Sequence, residues 1–353
     1  MGNGTSHIRI GSRQIGSGAP VLIIAEAGVN HNGDIELAEE MVRVAVECGA
    51  DAVKFQSFLA ERVASSSAAK ADYQRMAGRP DESQIAMLRP LQLSVGDHER
   101  LQRQCTEAGL LFLSTPFDDI SADLLDDLDV AAFKIASGEV TNIPFLQNLA
   151  RRGRPLILST GMSTLEEVGE AIETVKNAGA KEIALLHCLS AYPAEPGEVN
   201  LRCIQTMARA YKLPVGFSDH TKGVEIAIAA VAVGACIIEK HFTLDRDLPG
   251  PDQRTSLLPC ELKAMVQGIR NVEKALGSGI KQPTESELPN RISVRRSIAA
   301  TRDMPASTVL SSDSLCTLRP ATGIPPGQLS AVVGRRLRRD VSAGTVLNWS
   351  DLV

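Results

Sequence analysis

Eight short apolar runs occupy the first 242 residues, and nearly every one ends in a polar residue able to do chemistry. They are Val21–Glu26, Ala52–Gln56, Leu111–Thr115, Ala131–Ser137, Leu156–Thr160, Ile183–Cys188, Val215–His220 and Cys236–His241. Near-continuous hydrophobicity of this kind is what a strand needs when both of its faces are buried. Helix-like segments separate the runs, so the rhythm is strand, then helix, eight times over. That pattern predicts the α/β class and, within it, a (β/α)8 TIM barrel, with a doubly wound sheet as the alternative. In a barrel of parallel strands the tips share one end, and the active site belongs there.

The intervening segments carry helix punctuation. Thr164 and Glu167 form a capping-box pattern before an apolar stripe at Val168, Ile172 and Val175. Ser94 and Asp97 start a helix running toward Ala108, and Asp34 caps another. Gly49, Gly109, Gly153, Gly179 and Gly234 stand where helices should stop. The last barrel helix is predicted from Cys260 to Leu276. Residues 58–92 are too long for the rhythm, and a long loop at the top of a barrel is expected to form a lid or substrate wall. The barrel domain is therefore assigned to residues 1–276.

Composition changes at Gly277–Asn290, and residues 277–293 read as a linker. Beyond it, residues 294–353 lose the helical period and contain a repeat. RDMPASTVLSSDSL at Arg302–Leu315 is echoed by RDVSAGTVLNWSDL at Arg339–Leu352. Two similar halves predict a small, pseudo-symmetric β-rich module.

Composition also excludes some partners. Aromatics at 3% and a net charge of -5 argue against nucleic acid. The arginines at 335, 336, 338 and 339 read as a solvated face or a domain contact. No apolar run approaches the roughly 20 residues of a membrane helix. Seven scattered cysteines without a CxxC pair predict a reduced, cytoplasmic setting. The first 18 residues lack a signal-peptide core, match a myristoylation pattern from Gly2 to Ser6, and otherwise read as a frayed Gly/Ser leader.

Side chains two apart on a strand share a face. Lys54 projects with Gln56, Ser218 with His220, and Glu239 with His241. Strands seven and eight are barrel neighbours, so the two imidazoles can meet over a divalent metal such as Mn²⁺ or Zn²⁺. Lys54 and Lys134, with Thr115, Ser137, Ser159 and Ser218, make a cradle for phosphate and carboxylate. A salt bridge of these lysines to Glu26 or Glu239, or a Schiff-base lysine, are the other readings. Glu26 precedes a polar loop of Asn30, His31 and Asn32. Asp252 in DLPGPD is placed to meet a polyol or a metal-bound water. Cys188 reads as a buried structural thiol rather than a metal ligand.

The motifs IIAEAGVNHNGD, AVKFQSF, FLSTPFD, FKIASGE, ILSTGM, LLHCLSAYP, GFSDHT, IIEKHFTLD and PGPD resemble, in order, those of the sialic acid synthases. The C-terminal repeat resembles that family's antifreeze-like, or SAF, domain. The resemblance implies a cytoplasmic enzyme condensing phosphoenolpyruvate with an N-acylated mannosamine-type sugar, to give a nine-carbon keto acid such as N-acetylneuraminate, and phosphate. It implies Mn²⁺ or Mg²⁺ on His220 and His241. Phosphoenolpyruvate falls to Lys54, Thr115, Lys134, Ser137, Ser159 and Ser218, and Glu26 acts near the oxocarbenium centre or its attacking water. Gln56, Tyr192, Glu239 and Asp252 address the sugar or the metal-bound water. Ser190 stands where some relatives carry Asn. Arg319 reaches the N-acyl group from a domain that caps the partner subunit's barrel, which implies a domain-swapped homodimer. The alternatives are N,N'-diacetyllegionaminate or pseudaminate as product. From other classes come a Schiff-base keto-acid lyase and a non-catalytic sugar-binding barrel.

Overall fold

The computed structural model describes residues 7–70 and 82–353. The chain divides into two units, Met1–Gly277 and Ser278–Val353. The first begins with a hairpin of β1 (Ile8–Ile10) and β2 (Arg13–Ile15). Eight parallel strands follow: β3 (Leu22–Gly28), β4 (Ala52–Ser57), β5 (Leu111–Pro116), β6 (Phe133–Ile135), β7 (Leu156–Ser159), β8 (Ile183–Cys188), β9 (Val215–Asp219) and β10 (Ile237–His241). They pair in chain order, and β10 pairs back onto β3 to close a barrel. Each is followed by a helix: α1 (Ile35–Cys48), α2 (Val95–Glu107), α3 (Asp119–Asp127), α4 (Ile143–Arg151), α5 (Leu165–Asn177), α6 (Arg202–Tyr211), α7 (Glu225–Ala232) and α8 (Pro259–Leu276).

The period of two divides the strand residues between two environments. Ile23, Val53, Phe133, Leu185, Phe217 and Ile238 point outward and pack with the helices in one large core. Leu22, Ile24, Ala52, Leu113, Ile157 and Ile237 point inward near the starts of the strands and form a second core. The inward positions nearer the strand ends remain for chemistry. The helix signals hold locally. Asp34 accepts from the amides of Glu36 and Leu37, and Ser94–Asp97 and Thr164–Glu167 are reciprocal capping boxes. All five stop glycines have positive φ, from 69° at Gly109 to 113° at Gly179.

Two expectations change. The leader is not frayed across its described part: Ile8, Ile10 and Ile15 are buried in the inner core, so the hairpin plugs the bottom of the barrel. Arg13 fastens it to Asp51 at 2.9 Å, and Asp51 also meets Arg270 of α8 at 2.6 Å. The Gly2–Ser6 pattern lies outside the described residues. The fourth run shortens to Phe133–Ile135, because Ser137–Glu139 coils into a 3₁₀ turn.

In the second unit, Leu288–Val294 is a short helix within the stretch read as linker, and β11 (Ser297–Ala300) pairs with β12 (Leu315–Leu318). The repeat folds onto itself as a pseudo-two-fold. Met304 bridges its own equivalent, Val341. The Asp303 carboxylate accepts from the Ala343 amide and Asp340 from Ala306, both at 2.7 Å. Arg335, Arg336, Arg338 and Arg339 are exposed. All seven cysteines are free thiols. Among the described residues no helix is long and apolar enough to cross a membrane.

Candidate active site

The upper inward positions surround one cavity of about 380 Å³. The catalytic, metal and substrate candidates Glu26, Lys54, Gln56, Thr115, Lys134, Ser137, Ser159, Ser190, Tyr192, Ser218, His220, Glu239, His241 and Asp252 line it. Asn30, His31 and Asn32 do not, and Arg319 lies exposed in the second unit just past β12. Strand register explains the gathering. His241 on β10 sits opposite Glu26 on β3, Glu26 opposite Lys54 on β4, and Gln56 opposite Thr115 on β5. Glu239 is level with Ser218 on β9.

Four buried charges form the floor. Lys54 Nζ lies 2.7 Å from Glu26 Oε2 and 3.7 Å from Glu239 Oε2, and donates to Thr115 Oγ1 at 2.9 Å. Lys134 Nζ lies 3.1 Å from Glu239 Oε1, which also accepts from Ser218 Oγ at 2.9 Å. The lysines thus meet both glutamates, as the salt-bridge reading held, while still facing the cavity. The two carboxyls are pushed apart. Burial raises Glu26 to about 7 against the pull of Lys54. Burial acts on Glu239 too, but Lys134 and Lys54 together overcome it and bring it to about 2. Burial would lower Lys54, yet Glu239 and Glu26 outweigh it and hold it raised; at Lys134 burial wins and lowers it.

Above the floor stand the histidines, with ring centroids 5.5 Å apart, and the Tyr192 ring lies against His220 at 4.1 Å, tilted by 38°. His220 Nδ1 lies 2.8 Å from the Leu189 carbonyl, which can only accept, so Nδ1 is the donor there and Nε2 is the nitrogen left for a ligand. His241 Nδ1 is buried without a hydrogen-bond partner, 4.0 Å from Asp252 Oδ2. Burial, then the neighbouring His220 and Lys54, hold His241 well below its usual pKa, so it is neutral. Burial lifts Asp252 to about 6 against the pull of His220. His220 goes the other way from His241: burial would lower it, but the facing Cys188 Sγ, the Leu189 carbonyl and Glu239 hold its pKa above the usual value, so a divalent cation held by this pair would have to displace its proton. Among the described residues no group of three or more His, Cys, Asp or Glu forms a complete metal cage.

On the β6–β8 side Ser137, Gly138, Ser159 and Ser190 give a hydroxyl-rich wall, and Ser159 Oγ is buried without a partner. Gly161 makes that wall possible. Its amide donates to Ser137 Oγ at 2.9 Å, and a Cβ there would lie 2.2 Å from Ser190 Oγ. Cys188 is buried as expected, but it lines the cavity with Sγ 3.8 Å from His220 Nδ1.

The opposite wall was not read from the sequence as individual residues. Val29, Phe58, Val63, Met87, Leu88 and Phe117 supply it. Four of these come from the 58–92 segment expected to flank the substrate; residues 71–81 of that segment lie outside the described residues. In the polar loop after β3, Asn30 and His31 are buried. Asn30 donates to the Phe242 carbonyl at 2.8 Å and Ser256 Oγ at 2.9 Å, tying the β3 loop to the chain after β10.

A closed parallel barrel with paired lysines and carboxylates beneath two imidazoles belongs to the class of barrel enzymes that bind an anionic substrate at the strand tips. Residues 41–281 match the NeuB family and residues 295–353 the SAF domain, and the chain belongs to the NeuB family. It is 49% identical to an N,N'-diacetyllegionaminic acid synthase of Legionella pneumophila, over 97% of each chain. It is 48% identical to the protein of that name from Campylobacter jejuni, over 89% of this chain and 95% of the relative. Among solved structures it resembles the N-acetylneuraminic acid synthetase of Leptospira borgpetersenii in complex with citrate. That match has 36% identity and a TM-score of 0.72, over 81% of this chain and 95% of the other.

Proposed function

We propose that this enzyme condenses phosphoenolpyruvate with 2,4-diacetamido-2,4,6-trideoxymannose to give N,N'-diacetyllegionaminate and phosphate. The buried Lys54–Glu26 and Lys134–Glu239 constellation facing one cavity with His220 and His241 carries the chemistry. The relatives support this acceptor: 49% and 48% identity to diacetyllegionaminic acid synthases, against 36% to an N-acetylneuraminic acid synthetase. N-Acetylmannosamine, the first expectation from the motifs, is therefore the less supported acceptor.

The roles follow from chemistry. Lys54, Lys134 and the hydroxyls of Thr115, Ser137, Ser159 and Ser218 hold the phosphate and carboxylate of phosphoenolpyruvate and orient its C3. A divalent cation on His220 and His241, of the Mn²⁺ or Mg²⁺ type, supplies polarisation of the sugar aldehyde when bound. C3 attacks that carbon as the C=O π pair moves onto the aldehyde oxygen, which takes a proton from solvent to become a hydroxyl; C2 becomes cationic, and water adds there. Glu26, whose carboxyl titrates near 7, takes the water's proton, and its negative form lies beside the developing positive charge. The tetrahedral carbon then expels phosphate by C–O cleavage. Gln56, Ser190, Tyr192 and Asp252 address the sugar, and Arg319 reaches its N-acyl group from the partner subunit in a domain-swapped dimer.

Phosphate release from phosphoenolpyruvate, measured with a panel of acceptors, tests the reading. The diacetamido sugar should give a kcat/KM at least about 10-fold above N-acetylmannosamine. Equal or reversed preference would sink the acceptor assignment. A Schiff-base lyase is the second reading, favoured by the lowered pKa of Lys134. Borohydride trapping with pyruvate should leave no adduct on the condensing enzyme, and a labelled Lys134 would establish the lyase instead.

A further inference from the structure

Behind the two imidazoles, on the opposite face of the same strands, lies a charged pair that the chemistry leaves unused. Asp219 of β9 and Lys240 of β10 are register partners. Each immediately precedes a histidine, so the period of two turns both away from the cavity. Their side chains are only 0% and 2% exposed, and Nζ lies 2.6 Å from Oδ2. Thr221 completes the set: its carbonyl accepts from Lys240 Nζ at 2.7 Å, and its amide and hydroxyl both donate to Asp219 Oδ1 at 2.8 Å.

His220 is thereby held between two clamped residues. The backbone agrees with this: the His220 carbonyl accepts from the Ala194 amide at 2.9 Å, and the His241 carbonyl accepts from Leu257 at 2.9 Å. Two buried charges are an expensive way to fill space, since apolar residues of similar volume pack as well or better. What an ion pair adds over apolar packing is direction. A one-residue slip between β9 and β10 would break it, and so would a rotation of the 219–221 turn.

We propose that Asp219, Lys240 and Thr221 are positioning residues that preset the separation and orientation of His220 and His241 for a divalent cation. The inference rests on the reading of those histidines as metal ligands. It makes the outer face of two strands part of the metal site, without any of the three residues touching the metal.

The test uses the full chain with Asp219→Leu and Lys240→Met combined, which removes both charges together. Mn²⁺ binding is titrated calorimetrically without substrates, alongside a thermal melt and the KM for phosphoenolpyruvate. The expected result is a Mn²⁺ Kd raised about 10-fold or more, a melting temperature near that of the parent, and little change in KM. A wild-type Kd in a folded double variant would overturn the proposal, as would an affinity loss accompanied by an equal rise in KM. Should the double variant not fold, Thr221→Val removes one hydrogen bond and should weaken Mn²⁺ about threefold; unchanged affinity there also overturns it. Should the parent chain bind no Mn²⁺, the ligand reading itself has failed. The positioning claim is then read from ¹H–¹⁵N spectra of His220. A single Nδ1-protonated tautomer in the parent that becomes mixed in the variant supports it; a single tautomer in both refutes it.

Discussion

Glu26 and Glu239 occupy adjacent strands and share Lys54, yet their environments drive them in opposite directions. Glu26 binds its proton more tightly in the folded chain, at about 7, than at its ordinary 4.5. The stability it contributes is therefore complete below pH 4.5 and lost as the pH rises through 7. Glu26→Gln cannot ionise, so its melting temperature relative to the parent should climb from pH 5 to pH 8 while turnover collapses. Scanning calorimetry across that range decides the matter, and a flat difference would mean that Glu26 titrates normally. Much of this site was legible at single residues, because alternation tells which strand-tip side chains share a face. Lys54, Ser218, Glu239 and His241 followed from that rule alone. Asp219 and Lys240 obey the same rule with opposite sign, but an outward position reads as core unless its partner on the next strand is known. Cys188 was seen as buried, and nothing in its neighbours along the chain placed it 3.8 Å from the imidazole of His220, past the end of the adjacent strand.

Among the elements, the barrel strands and helix caps were readable because their signals are local: hydrophobic runs, Ser/Thr–Asp/Glu boxes and glycine stops. The β1–β2 hairpin was not. Its strands are three residues each, flanked by glycine and serine, and its three isoleucines make sense only beneath a finished barrel. Ile10 is fully buried there, so Ile10→Ala should cost about 2–5 kcal/mol in urea unfolding. The kcat of the remaining folded enzyme should stay near that of the parent, since the plug lies at the end of the barrel away from the lysines. A stability change below about 0.5 kcal/mol would show the hairpin to be ornamental. The apolar wall of the cavity was foreseen only as a long loop. Its residues Val63, Met87 and Leu88 follow no strand period, so the sequence marks where such a wall begins and not which side chains it presents.

At the scale of the whole molecule, the repeat in residues 302–352 told correctly of two similar halves, and their reciprocal aspartate–amide bonds give it a physical basis. Whether the proposed role of Arg319 is exercised across subunits is a question of assembly. If it acts across subunits, mixing Arg319→Ala with His220→Ala chains should restore about a quarter of parental activity at most, because half the dimers are mixed and each holds one intact site. Two inactive pools that stay inactive after subunit exchange would place Arg319 in its own chain's site or outside catalysis. One last consequence concerns descent. Along each barrel strand, the residues that hold the molecule together and those that face the cavity occupy separate positions. Lineages can therefore exchange one acceptor for another by altering the rim and its loops, while the scaffold beneath is inherited unchanged.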